Sequence, residues 1–214
     1  MLAGLLLAGC AVGHGEGSET LFKQDFEKEE AGKEIREMGF VAIGTCEFKV
    51  TPDGRNKVLE LAPFPLDTAG FLFGPTESEN VVAQARFFGT ASGRRYPLFA
   101  VGLNGLGGYM LRLQPVRKVL ELLKGDEVKK SVPYAWSSNT WTVLALSVRK
   151  SKDGVWSMQG KAWEDGKDEP KDWLLSWDDT EKPKPGRAAV WAVPYSGEPI
   201  RIDDLVVTRM PDGK

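Results

Sequence analysis

Period-two alternation in short runs between turn residues is the feature that most narrows what this chain can fold into, and it holds from Thr20 almost to the end. Val81-Val-Ala-Gln-Ala-Arg-Phe-Phe88 sends Val81, Ala83, Ala85 and Phe87 to one side and Gln84 and Arg86 to the other, because successive strand side chains point to opposite faces. Gly108-Tyr-Met-Leu-Arg-Leu-Gln114 repeats the pattern, with Tyr109, Leu111 and Leu113 opposed by Arg112 and Gln114. Such runs predict half-buried antiparallel strands. Trp141–Arg149 and Val155–Trp163 flank Ser151-Lys-Asp-Gly154. Asp-Gly between two apolar runs predicts a hairpin with a type I′ turn, whose two central residues both need positive φ. Asp53-Gly54 and Asp165-Gly166 mark further turns, and Ile200-Arg-Ile-Asp-Asp-Leu-Val-Val-Thr208 reads as a closing strand.

Helical spacing is found in no long segment. Glu27–Met38 is charge-dense and broken by Gly32, which predicts a solvated loop or one poor turn. Val119-Leu-Glu-Leu-Leu-Lys124 fits a further strand better than a helical turn, and Thr180-Glu-Lys-Pro-Lys-Pro-Gly186 is a loop that proline keeps out of a sheet interior. With 214 residues, 42% of them hydrophobic, one full core can be buried. The expectation is a single all-β domain over residues 20–210, folded as a two-sheet antiparallel jelly-roll sandwich.

The 28 basic and 30 acidic residues, net −2, form no clustered positive face of the kind nucleic acid requires, so none is expected as a partner. His14 is the only histidine. It sits in a Gly-rich segment, which removes imidazole-based hydrolase triads and zinc sites. Met1-Leu-Ala-Gly-Leu-Leu-Leu-Ala-Gly-Cys10 is uncharged, apolar and too short to span a bilayer as a helix. Leu7-Ala8-Gly9-Cys10 resembles the bacterial lipobox, which implies a signal segment over 1–9, a lipidated Cys10 and a flexible linker through 19. The implied location is the bacterial cell envelope, with membrane attachment through the lipid. Ala11 rather than Asp follows, which by the same resemblance favours the outer membrane. No Lys or Arg precedes the apolar run, so either the true start lies upstream or the signal is incomplete. An apolar first strand with an incidental cysteine is the competing reading. Cys46 reads as a small buried hydrophobe, since Thr45-Cys-Glu-Phe offers no basic neighbour to stabilise a thiolate.

Several phrases, in this order, resemble the concanavalin A-like lectin/glucanase superfamily, including laminin-G-like jelly rolls and the domain family labelled 3-keto-disaccharide hydrolase. They are Asp25-Phe26-Glu27, Gly107-Gly108-Tyr109, Trp141 heading its strand, Gly160-Lys-Ala-Trp163, Glu169-Pro-Lys-Asp-Trp173 and Ile202-Asp203-Asp204-Leu205. The resemblance implies two curved antiparallel sheets and a concave face on which relatives commonly hold carbohydrate. It does not choose among binders, hydrolases and structural modules, all of which share the fold.

A retaining glucanase of that superfamily would carry Glu-x-Asp-x-x-Glu on one strand, aiming a nucleophile and an acid into one cleft. That spacing is absent from the chain, and no catalytic residue is assigned. The nearest carboxylate cluster, Asp165-Gly-Lys-Asp168-Glu169, falls at a turn. No cofactor is expected, with a structural calcium on Asp178-Asp179 or Asp203-Asp204 left as an open alternative. Adjacent strand residues point oppositely, so Asp203 and Asp204 are not expected to serve one site together.

Seven tryptophans crowd the C-terminal half, and sugar recognition stacks aromatic faces on pyranose rings beside planar polar side chains. Trp141 and Trp173 are expected in the core. Trp163, sharing a face with Lys161 and Gln159, and Trp191, sharing one with Arg187, are candidates for exposure. Arg86 with Gln84 and Arg112 with Gln114 lie on the polar faces of strands that, as neighbours, would line one sheet. The candidate carbohydrate-binding residues are therefore Gln84, Arg86, Arg112, Gln114, Trp163 and Trp191. Three functions follow: a non-catalytic glycan-binding module, a glycoside-cleaving enzyme, and a structural or protein-interaction domain without a sugar site. Converging carboxylates would favour the second. A flat polar face with no aromatic beside the arginines would favour the third.

Overall fold

The computed structural model describes residues 17–45, 47–151 and 153–211. The candidate signal segment, Cys10, His14 and Cys46 lie outside the described residues. Among those described, the chain runs through β1 (Glu19–Gln24), β2 (Val41–Ile43), β3 (Phe48–Asp53), β4 (Asn56–Leu61), β5 (Ala69–Glu77), β6 (Val81–Gly89) and β7 (Leu98–Leu103). It continues with β8 (Tyr109–Gln114), a 3-10 turn at Pro115–Arg117, β9 (Val119–Lys124), β10 (Glu127–Pro133), β11 (Thr140–Lys150) and β12 (Trp156–Glu164). It ends with β13 (Leu175–Asp179), β14 (Gly186–Val193) and β15 (Ile200–Arg209). An eight-stranded sheet has the order β13-β12-β11-β6-β15-β4-β3, with β1 pairing β15, and a seven-stranded sheet has the order β10-β9-β8-β7-β14-β5-β2. Every strand pairing among the described residues is antiparallel, as the alternating pattern predicts.

The predicted inward residues of β6 (Val81, Ala83, Ala85, Phe87) and of β8 (Tyr109, Leu111, Leu113) are all buried. Phe87 stacks on Phe99 across the two sheets, ring centroids 5.2 Å apart. Gly160 of β12 faces Leu111 of β8 so closely that a Cβ there would lie 2.4 Å from Leu111 Cδ1. Phe71 joins Phe40, Phe48 and Phe73 in a second aromatic group at the other end of the core. Truncating one of these buried side chains to alanine costs roughly 2–5 kcal/mol through lost burial and the cavity left behind.

Glu27–Met38 contains no helix, but it is not merely solvated: Phe26 just before it and Ile35 within it are buried in the core. Val119–Lys124 is a strand, as expected. The β11–β12 hairpin departs from the type I′ expectation. Gly154 has positive φ, and Ser151 and Val155 are joined by a backbone hydrogen bond of 2.7 Å, so the loop is longer than two residues. At Asp53-Gly54-Arg55-Asn56 the positive φ falls on Gly54 alone, the type II′ pattern.

The aromatic assignment also needs correction. Trp156 is the buried tryptophan, and Trp136 and Trp177 pack against the core. Trp141 instead pairs with Phe88, an outward position of β6, and Trp173 covers Lys161 outside the sandwich. Strand parity decides the first case: Thr142 and Leu144 take the inward positions of β11 beside Phe87 and Ala85.

Candidate functional site

Register divides the six candidate residues between two opposite surfaces. Gln84, Arg86 and Trp163 lie on the outer face of the eight-stranded sheet, while Arg112, Gln114 and Trp191 lie on the outer face of the seven-stranded sheet. The expectation that Arg86 and Arg112 occupy neighbouring strands is therefore wrong. β6 and β8 belong to different sheets, and similar alternation in two strands carries no information about which sheet each joins.

On the eight-stranded sheet one register row reads Trp163, Val143, Arg86, Asp203. Arg86 is enclosed there. Its Nη1 donates to Asp165 Oδ2 at 2.7 Å, its Nη2 to Asp203 Oδ2 at 2.6 Å, and its Nε lies 3.1 Å from Asp204 Oδ2. The Trp141 ring covers the guanidinium at 4.7 Å. Sequence parity had denied Asp203 and Asp204 a common site, but a bulge between Asp203 and Val206, with Asp204 at φ +47°, adds one residue to β15 and turns both carboxylates onto Arg86. Asp203 is 1% exposed. Burial raises its carboxyl, the charge of Asp204 adds to the effect, and Arg86 offsets them only in part, so it is pushed up to about 6. Gln84 is 8% exposed. Trp163 and Trp173 flank Lys161, whose Nζ pairs with Glu169 at 2.6 Å and donates to Pro170 O at 3.1 Å. This face is filled by its own side chains.

The seven-stranded sheet presents a different surface. One row across it reads Glu121, Arg112, Ala100, Trp191, Gly70, Ile43. The Trp191 ring lies flat on the sheet. A Cβ added at Gly70 would fall 2.8 Å from Trp191 Cε3, and one at Gly102 would fall 3.7 Å from Trp191 Nε1, so the ring spans two positions that lack side chains. Trp191 and Arg112 stand two strand spacings apart, roughly 10 Å, with the fully buried Ala100 at the row position between them. Glu121 is 1% exposed and holds the arginine in place: Arg112 Nε and Nη2 donate to its Oε2 at 3.1 and 2.8 Å, and Arg117 Nη1 donates to its Oε1 at 3.0 Å. Gln114 is partly exposed one outward position further along β8.

Glu121, Arg117, Gly70 and Ala100 were not singled out from the sequence. The available signal was a lone carboxylate inside the apolar run Val119–Lys124, nine residues after an arginine across a hairpin.

At the end of the sandwich, a cavity of about 370 Å³ is lined by Asn104, Tyr109, Lys124, Glu181 and the proline-rich loop before β14. Asp179, one of the calcium candidates, accepts there from Tyr109 Oη at 2.8 Å and pairs with Lys124 Nζ at 2.7 Å. Burial favours its neutral form, but Lys124 and its other donors outweigh that and hold its carboxyl below the ordinary value. Asp203 is likewise engaged by Arg86. Among the described residues, no group of three or more His, Cys, Asp or Glu side chains is arranged to hold a metal.

No family model and no curated protein matches the chain. Solved structures do match in fold. A Bacillus subtilis protein with a galectin-like fold aligns with a TM-score of 0.60 and 10% identity, over 90% of this chain and 97% of that one. The carbohydrate recognition domain of Emp46p, in its metal-free form, aligns at 0.55 and 12%, over 88% and 94%. A glycosyl hydrolase family protein from Mycobacterium fortuitum aligns at 0.53 and 14%, over 88% and 99%. The fold is the concanavalin A-like jelly roll that the sequence phrases resemble.

Proposed function

We propose that this protein is a non-catalytic carbohydrate-binding module that takes its ligand on the outer face of the seven-stranded sheet. The observation that carries this reading is the shared row of Trp191 and Arg112, an aromatic ring and a fixed guanidinium on one outer face with Ala100 between them. A pyranose ring stacks its C–H face on indole, and donors held at the edge engage its oxygens. The fold is shared with a carbohydrate recognition domain, which supports the same class of ligand. A purely structural domain was expected to lack an aromatic beside its arginines, and this face has one. A glycoside-cleaving enzyme needs two carboxyl groups facing the scissile bond. The row offers Glu121 alone, and two arginines hold it, while the three carboxylates that converge on the opposite face, Asp165, Asp203 and Asp204, are all engaged by Arg86. Of the six candidates from the sequence, Trp191, Arg112 and Gln114 are retained for the site. Gln84, Arg86 and Trp163 are reassigned to the packing of the opposite face.

The lipid anchor on Cys10 and the bacterial envelope location belong to the same proposal and rest on Leu7-Ala8-Gly9-Cys10. Metabolic labelling with an alkynyl fatty acid should mark the wild-type chain and not Cys10→Ser. Equal labelling of both would remove the anchor from the proposal.

The test of binding is a glycan array probed with the full chain in detergent, wild type beside Trp191→Ala and Arg112→Ala, with circular dichroism confirming the fold. Saturable binding that both substitutions weaken supports the assignment. Binding that survives both would move the site elsewhere, and an array with no bound glycan would defeat the reading.

A further inference from the structure

We infer that the Trp191 face selects anionic saccharides, those carrying a uronate carboxylate or a sulfate ester, over neutral ones. This rests on the carbohydrate-binding reading above and adds the class of ligand. The charge balance at the Arg112 end of the row is the first reason. Two guanidinium groups, Arg112 and Arg117, share the single carboxylate of Glu121, which leaves one uncompensated positive charge beside the platform. The opposite face has the reverse balance, with Arg86 among Asp165, Asp203 and Asp204.

The polarity of the hydrogen bonds is the second reason. Neutral sugars present hydroxyls that both give and accept, and sites for them usually answer with donors and acceptors alike. Here the Glu121 oxygens are covered and already accept three bonds from the two arginines. What remains toward the ligand is one-sided: Arg112 Nη1, Arg117 Nε and Nη2, and Trp191 Nε1 are all donors without acceptor capacity. Gln114 and the exposed Ser131 of β10, which pairs with Glu121, are the side chains on this edge that can also accept. A donor array with net positive charge is matched by an acceptor-only anion, and a guanidinium engages a carboxylate or sulfate through paired N–H groups.

Glu121 makes this arrangement rigid. It is almost fully buried and holds the Arg112 fork from the neighbouring strand, so the unused edge is oriented before any ligand arrives. Arg117, with its side chain 60% exposed, supplies charge at the rim.

The experiment measures affinities of the full chain in detergent for matched tetrasaccharides: oligogalacturonate, sulfated galactan and unsubstituted galactan, each at 50 and 300 mM salt, for wild type, Arg117→Gln and Trp191→Ala. The expected result is at least a tenfold preference for one or both anionic probes at low salt, shrinking at high salt. Arg117→Gln should reduce the preference to within about threefold, and Trp191→Ala should weaken all binding. Preference for the uronate alone names a carboxylate as the anion, and preference for the sulfated probe alone names sulfate. Equal affinity for neutral and anionic probes, with dependence on Trp191, would overturn the inference and leave the binding reading intact. A preference that Arg117→Gln does not change would also overturn it. Absence of binding to all three probes overturns the inference, and the glycan array above decides the broader reading independently.

Discussion

Arg86 Nη2 and Asp203 Oδ2 meet at 2.6 Å across 117 positions of sequence, inside a network where one guanidinium answers three carboxylates. The bulge at Asp204 creates that imbalance by adding a second carboxylate from the same strand. Burial and that imbalance raise the Asp203 carboxyl to about 6, so it takes up a proton at higher pH than an ordinary carboxylate.

The pH dependence follows from that proton. A carboxyl whose folded pKa of about 6 stands above its unfolded value of about 3.9 binds its proton more tightly in the folded state. Its contribution to stability is therefore fully present below about pH 4 and is lost as pH rises through about 6. In Asp203→Asn that slope disappears. Urea unfolding at pH 4, 5, 6 and 7 should show the variant gaining on the wild type as pH rises, and a difference independent of pH would contradict the retained proton.

Removing the guanidinium tests the role of the same network. Arg86→Leu removes the guanidinium that Asp203 and Asp204 share, and losing one partner of a buried ion network costs about 3–5 kcal/mol. Thermal or urea unfolding should show a loss of that order, while saccharide affinity of the folded protein stays unchanged because the proposed site lies on the other sheet. A selective loss of binding without loss of stability would return the site to the eight-stranded sheet.

Trp191→Ala should show the opposite profile. Calorimetric titration of a saccharide bound by the wild type should record more than a tenfold loss of affinity, about 1.4 kcal/mol, because the stacking platform is gone. The unfolding midpoint should move less than in Arg86→Leu, since the ring covers an outer face and not the core. Retained affinity would show that the ring is only a cover for the sheet.

Gly70→Ala probes the seat of that ring. The new Cβ would stand 2.5 Å from Val190 O and 2.8 Å from Trp191 Cε3, so ring and strand must both shift, at a cost of roughly 1–3 kcal/mol by analogy with overpacking. Saccharide affinity should fall together with stability. Full affinity in the variant would mean that the flat pose of Trp191 is unimportant for binding.

Much of the fold was legible in local pattern. The alternation of Val81–Phe88 and Tyr109–Gln114 set which side chains face inward, because the two-residue strand period acts on each strand separately, and the ordered phrases across the chain pointed to the jelly roll. Those local rules also determined that Gln84 and Arg86, or Arg112 and Gln114, share a face within each strand. Tertiary structure alone decided which strands stand side by side. It sent Arg86 and Arg112 to opposite sheets, put Trp141 over Arg86 instead of in the core, and set Trp191 in one row with Arg112 although 79 positions separate them. The bulge at Asp204 overrode strict alternation by inserting one residue, which period-two reasoning cannot register. The physical reason is common to these cases. Alternation is enforced by the geometry of each strand's own backbone, whereas strand order and bulges are chosen by burial and hydrogen bonding summed over partners far away in the chain.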